Sequence, residues 1–333
     1  MGVKADISRR MRIQESIMRY FSFSAIVILI VGFTILQPRF LGQANLRTLL
    51  NDSAPLIIMA SGMTAILLLG SIDLSMGAAC SVANVLVVVV LNKLGPVIGS
   101  PVAAAILALF IALVFGAFAG LLLGTIHVKF KVPSFIASLG FMSLWQSVAL
   151  LISAAPESVL RSMWDSVGWF RITFSVVGLS LILALLAVAA LYTLQNRTII
   201  GRALYAIGGN ERTSRLAGLE VDKVKILFFM INGMCAALGG YFLAAKLRSS
   251  APKIGDPFTL LIVASVALGG TALTGGRGNI LGTLLGVFIV SIIQNGMNFI
   301  GVDAYWQNIV FGIFILAAVA ISVDRSARGL TIK

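Results

Sequence analysis

The chain has 333 residues, 59% of them hydrophobic and only 11% charged, with a formal net charge of +13. Soluble domains carry about a quarter charged residues, and a water-soluble fold of this length could not hide so much apolar surface. Repeated long uncharged runs point to an integral membrane protein, and runs that are continuous instead of alternating read as helices, not as a barrel. The basic excess lies beside those runs. It reads as topology-setting charge and contact with anionic membrane lipid, with no role in nucleic-acid binding.

The N-terminal 20 residues are basic and lead into an uncleaved first span. Ten apolar runs are candidate spans: 21–37, 54–70, 75–91, 99–124, 132–153, 170–194, 225–246, 258–273, 279–299 and 308–323. The second, third and eighth are short, so eight to ten crossings are expected, the smaller number if some are half-helices. With the N-terminus inside and ten crossings, 17 of the 25 basic residues fall on the inner side, as the positive-inside rule favours. The expected fold is therefore an all-α integral membrane protein with both termini cytoplasmic. Its parts are a cytoplasmic segment (1–20), a transmembrane domain (21–323) and a cytoplasmic tail (324–333).

Between the second and third runs stands the stretch GSIDLSMG. Asp73 is the only acidic residue between Asp52 and Glu157. Gly70 and Gly77 bracket a helix break, and Asp73 and Ser75 are placed to cap the helix that follows. An ion pair with an arginine of the later polar loop and a contact with solute are the alternatives. His127, the single histidine, sits beside Lys129 and Lys131 and reads as a solvated interfacial residue. Cys80 and Cys235 lie far apart in apolar runs, which suggests neither a disulfide nor a metal site.

The 197–225 loop is long, polar and charged. TIIGRALYAI and ERTSRLAGL read as short helices separated by GGN. Its apolar residues Ile200, Leu204, Ile207, Leu216 and Leu219 argue against disorder. A docking surface for a cytoplasmic partner and an amphipathic linker on the bilayer both fit. Further on, GGTALTGGRG is too broken for a continuous helix, and Gly278, Gly282 and Gly286 read as a helix-packing stripe. Asn295 and Asn298 share one face of an apolar helix, where they need a partner helix or a polar solute.

Enzymatic chemistry is missing from the residue list. There is no GxxxxGK[ST] loop, no HExxH, no Ser-His-Asp set and no acidic cluster. No cofactor or metal is expected. Proton or sodium coupling usually needs charged groups at mid-membrane, and Asp73 alone qualifies. Energy for uphill transport is thus expected from a separate subunit.

Five stretches in order resemble the permease subunits of bacterial ABC importers for ribose, xylose, arabinose and galactosides. They are GMTAILLLGSIDLSMGA, KVPSFIASLGFM, GRALYAIGGNERTSRLAGLEV, VALGGTALTGGRGNILGTLLG and IIQNGMNFIGVDAYWQNIVFG, extending over about residues 45–323. Two departures stand out: Ser71 replaces a second glycine, and Thr259, Leu260 and Leu261 replace an acidic stretch of which only Asp256 remains upstream. The resemblance implies a type II importer-like permease of roughly ten helices in the bacterial inner membrane. Its implied partners are a cytoplasmic ABC ATPase, a second permease copy or paralogue, and a periplasmic solute-binding protein. It also implies that Gly201, Arg202, Gly208, Gly209, Asn210, Arg215, Ala217 and Gly218 couple the chain to that ATPase. The solute, a monosaccharide or similar small polar molecule, would meet weak contacts from Gln146, Asn232, Asn295 and Asn298, with Phe141 and Trp145 as faces for sugar C–H groups. A self-sufficient secondary carrier and a non-transporting membrane scaffold are the competing classes.

Overall fold

The computed structural model describes residues 23–322, so the segments read as cytoplasmic termini, 1–20 and 324–333, lie outside the described residues. The chain opens with α1 (Phe23–Leu36), a 3-10 turn (Pro38–Leu41), α2 (Gln43–Asp52), α3 (Ala54–Leu68), α4 (Met76–Lys93) and one-turn α5 (Gly95–Ile98). Then come α6 (Pro101–Lys129), α7 (Ser134–Ile152), β1 (Glu157–Ser158), one-turn α8 (Trp164–Val167), β2 (Thr173–Phe174) and β3 (Val177–Gly178). The remainder is α9 (Leu179–Arg197), α10 (Ile199–Gly209), α11 (Glu211–Leu216), α12 (Val221–Leu247), β4 (Ser249–Ser250), α13 (Asp256–Leu268), α14 (Ile280–Phe299) and α15 (Ala304–Ser322). Among the described residues, seven helices are long and apolar enough to cross a membrane, the joined α2–α3 run counting as one.

Each of the ten apolar runs holds a helix. The run read as 170–194 becomes helical only at Leu179. A 3-10 turn at Gly168–Arg171 and the antiparallel β2–β3 pair come first. The reason is local: the Gly178 amide donates to Asn51 Oδ1 of α2 at 2.6 Å, which holds the backbone extended until the helix begins. Hydropathy alone carries no record of that bond.

α12 is the axis of the fold. It packs along α3, α4 and α6, and Phe228, Phe229, Asn232, Ala236, Ala237, Ala244 and Ala245 are almost wholly buried. The α6 contact is made backbone to backbone. A Cβ added to Gly116 would collide with Gly233 O, one on Gly120 with Phe229 O, and one on Gly233 with Gly116 O. Ala104, Ala108, Ala112, Gly116, Gly120 and Gly124 recur every fourth residue on the buried face of α6. The opposite face exposes Val102, Ile106, Phe110, Val114 and Phe118. Small residues inside and large ones outside suit lipid, where close backbone approach replaces hydrophobic burial as the packing force. The stripe read at 278–286 is shorter than expected: Gly278 has φ +137° in the loop before α14. Gly282 and Gly286 of α14 pack against Gly269 and Ser265 at the end of α13, while Gly278 lies against Thr271 in the loop.

Two helices start part-way along the bundle. Asp73, just ahead of α4, meets Asn232, which lies 11 residues into α12, roughly 16 Å along its axis. α4 then passes Gly240, which touches Cys80, Ala83 and Asn84. From the other direction, the chain after α12 turns back, bonds Asn84 through the Ala251 amide at 3.0 Å and Ser81 through the Gly255 amide at 2.8 Å, and starts α13. The first turns of α4 and α13 therefore meet, with Gly77 and Gly255 in backbone contact, and the two helices diverge to opposite ends. The third and eighth runs are short because α4 and α13 begin at this internal junction instead of at an end of the bundle.

The α6–α12 contact gives a direct expectation. Gly120→Leu should destabilise the detergent-solubilised protein by about 3 kcal/mol or more, the upper part of the overpacking range. Gly140→Ala, at a position with open space around it, should leave the thermal unfolding midpoint unchanged.

Candidate functional site

At one end of the bundle, α10 and α11 sit on the turns that follow α3 and α13. α3 ends in a Schellman motif: Gly70 (φ +72°) donates to Leu67 O and Ser71 donates to Ile66 O. α13 ends the same way, with Gly270 (φ +86°) donating to Ala267 O and Thr271 to Val266 O. The Gly276 amide donates to Leu68 O at 2.9 Å and joins the two turns. Gly208 of α10 presses on this joint so closely that a Cβ would collide with Leu68 O. Tyr205 secures the seat, donating to Gly278 O at 3.0 Å while accepting from Gln195 Nε2 at 2.6 Å.

The two short helices read from the loop are present. Asn210 separates them and caps α11, its Oδ1 accepting from the Thr213 amide at 2.9 Å. Gly201 is buried where a Cβ would strike the carbonyls of Leu194 and Gln195, whereas Gly209 faces open space. Gly218, at φ +82°, ends α11. Arg202 and Ala217 are exposed. Arg215 bridges Glu211 at 3.3 Å and Asp222 at 2.7 Å, and the Asp73 carboxylate bonds Ser75 and Asn232, not a loop arginine. The other Glu211 oxygen takes Lys225 Nζ at 2.6 Å. Partial burial works against the Glu211 carboxylate, but the Lys225 and Arg215 cations outweigh it and hold the group below its ordinary range. Leu216 stands 82% exposed on this polar loop, an apolar knob without cover in the isolated chain.

Behind the seat lies the Asp73 turn. Asp73 is buried. Its Oδ1 accepts from the Ser75 amide at 2.8 Å and the Ser75 hydroxyl at 2.6 Å, and its Oδ2 accepts from Asn232 Nδ2 at 2.8 Å. Asp73 thus organises the turn into α4, but the paired cap read for Ser75 is not formed. The Ser75 hydroxyl donates to the carboxylate instead of accepting a helix amide, because a charge-assisted bond in a buried site is the stronger one. Ile72 N–H donates to Ser134 Oγ at 3.0 Å. His127 is half-buried, not solvated. Its Nδ1 donates to Val132 O at 2.8 Å, its Nε2 faces Ser71 Oγ at 3.4 Å, and its ring meets Phe229 edge-on at 5.6 Å. Cys80 and Cys235 are free and buried.

The residues read as solute contacts separate. Phe141 and Trp145 are buried, stacked on one another at 5.8 Å, with Phe115 edge-on to Trp145. Asn232 is fully buried on Asp73. Asn295 exchanges two hydrogen bonds with Asn45 of α2, at 2.9 and 3.1 Å, and Asn298 accepts from Gln307 of α15 at 2.7 Å. Gln146 remains half-exposed on α7. Lys225, Tyr205 and Gln195 escaped the sequence reading. Lys225 left one trace, a cation one turn into an apolar helix.

A family profile described as branched-chain amino acid transport system / permease component matches residues 45–319. The chain belongs to this permease family. It is 35% identical over 308 residues to the ribose import permease protein RbsC of Bacillus subtilis, covering 92% of each chain. It is 35% identical to RbsC of Escherichia coli K12 over 325 residues, 96% of this chain and 98% of the relative. It is 31% identical to the galactose/methyl galactoside import permease protein MglC of the same strain, over 95% of this chain and 98% of the relative. No solved structure matches. Within this permease-family chain three of the five resemblance stretches meet in space: GSIDLSMG, the 201–218 loop and the 269–286 glycines share one joint.

Two outcomes follow. Asp73→Asn keeps an acceptor for Ser75 and should cost less than about 1 kcal/mol, while Asp73→Ala leaves both Ser75 donors and Asn232 unpaired and should cost about 2–3 kcal/mol, read as unfolding midpoints in detergent. For Glu211 the folded carboxyl titrates below its unfolded value near 4.5, so its stabilisation is complete above that pH and is lost as pH falls through the lower folded value. After division by the intrinsic exchange rate at each pH, protection of the Lys223–Lys225 amides should fall as pH drops through the lowered Glu211 value in the wild type, and a Glu211→Gln variant should show the reduced protection already at pH 7.

Proposed function

We propose that the chain is the membrane-spanning permease subunit of an ATP-binding-cassette importer in a bacterial inner membrane, moving a monosaccharide or similar small polar solute. The observation that carries this reading is the seat of α10 and α11 on the Gly70–Gly276 joint, with Leu216 left uncovered. A loop fixed to the ends of two central helices and presenting an apolar knob is built to receive a partner and pass on its movement. The basic residues favour placing this end in the cytoplasm, where an ATPase would dock. The family description names branched-chain amino acids, but relatives matched over nearly their full length are named for ribose and galactosides, which supports the sugar class.

ATP hydrolysis belongs to the separate ATPase in this reading, and a binding protein delivers solute at the opposite end. The pathway is proposed at the interface with a second permease copy or paralogue. α7 exposes Gly140, Ser143 and Ser147 beside half-exposed Gln146; the two hydroxyls bond carbonyls one turn back, and the small-residue face suits close approach of a second helix. Phe141, Trp145 and Asn232 then support that wall from behind and do not touch solute.

Solubilised, tagged chain should co-purify with an ABC ATPase, and import by the complex should require ATP. Gly208→Val should abolish import while leaving membrane level unchanged, because the side chain has no room on Leu68. Gly209→Ala should import like wild type. Uptake into vesicles holding this chain alone, without ATP, would establish a secondary carrier instead.

A further inference from the structure

We infer that one face of α12 is the mechanical link between the docking loop and the buried Asp73 turn, which makes Lys225, His127 and Asn232 positioning residues for transport. The inference rests on the permease reading and adds to it the route by which loop movement reaches mid-depth. Lys225, Phe229 and Asn232 stand at i, i+4 and i+7, one above another on a single helix face. Each touches a different part of the machinery. Lys225 Nζ holds Glu211 of α11 at 2.6 Å. Phe229 carries the His127 ring, whose Nε2 faces Ser71 Oγ. Asn232 Nδ2 holds Asp73 Oδ2 at 2.8 Å. The contacts rise in order from the loop, to the start of the GSIDLS turn, to the carboxylate that begins α4.

The material between these contacts is stiff. Gly120 and Gly124 of α6 press directly on Phe229 and its neighbours, without side chains between them. A packed helix of this kind shifts as a unit. A displacement of α11 would therefore be carried by Lys225 along α12 and delivered to Asp73. The ion pair itself points the same way. Lys225 has a side chain only 9% exposed, against 45% for Glu211, and burying the lysine ammonium is poor value for stability compared with an apolar side chain of similar size. Setting the register between two moving parts is the better-attested use of such a pair.

The test uses the full transporter, purified with its co-purifying ATPase and its binding protein, in proteoliposomes with D-ribose and D-galactose each supplied as solute. Lys225→Met preserves the buried volume and leaves the exposed Glu211 to water. It should bind the ATPase and melt like wild type, yet raise the ATP hydrolysed per sugar imported about tenfold. Lys225→Arg should keep the wild-type ratio, and the exchange Glu211→Lys with Lys225→Glu should recover most of it. Asn232→Ala should raise the ratio as well, and adding Lys225→Met to it should raise it no further, since both cut one chain of contacts. An unchanged ratio in Lys225→Met, or full multiplication of the two effects in the double variant, overturns the link while leaving the permease reading in place. A wild-type chain that retains no ATPase overturns both.

Discussion

The backbone contact between α6 and α12 is the constraint on which the rest depends. Gly116, Gly120 and Gly233 let two long helices touch without side chains between them. In lipid, apolar side chains gain little by leaving the surface for the interior, so packing density and polar satisfaction decide how helices associate. With α6 so close on one side, α12 is left with its other faces for α3 and α4. It becomes a buried column, and the polar groups that a membrane protein must pair internally are paired along it.

That column is what makes a broken helix permissible. Residues 70–75 carry free backbone groups and a carboxylate at a depth where irregular structure survives only when protein covers it. Asn232 supplies one donor to Asp73, Ser75 supplies two, and Ser134 accepts from Ile72. The return of the chain at 251–255 is treated alike, with Asn84 and Ser81 taking its amides. Two half-length starts meeting at Gly77 and Gly255 give a fold in which opposite ends are tied at the centre.

Much of this was legible and some was not. The helices were legible because a bilayer demands long apolar runs, and the loop helices α10 and α11 because charge and the Gly-Gly-Asn turn interrupt those runs. The Schellman turn at Gly70 was visible as a glycine after a leucine run. The true packing stripe, small residues every fourth position from Ala104 to Gly124, was present in the letters but lost in a helix apolar on all sides. The apparent stripe at 278–286 drew attention because its glycines are denser. Asn232 looked like a solute contact because a lone amide in an apolar helix needs a partner, and spacing cannot say whether that partner is protein or cargo. Within this chain it is Asp73.

The amino-acid sequence by itself determined that this is an apolar helical membrane chain, where its helices are interrupted, and that one long polar loop carries two short helices. Those properties follow from composition and local chemistry, which need no knowledge of neighbours. Only the tertiary structure decided which glycines pack, that the starts of α4 and α13 meet inside the bundle, and that Lys225 reaches Glu211 while Asn232 reaches Asp73. Each of these joins residues distant in the chain. Phe141 and Trp145, buried against each other and Phe115, make the same point from the other side: in lipid an aromatic ring is equally at home facing solvent lipid, a cavity or a neighbour, and only the fold chooses among them.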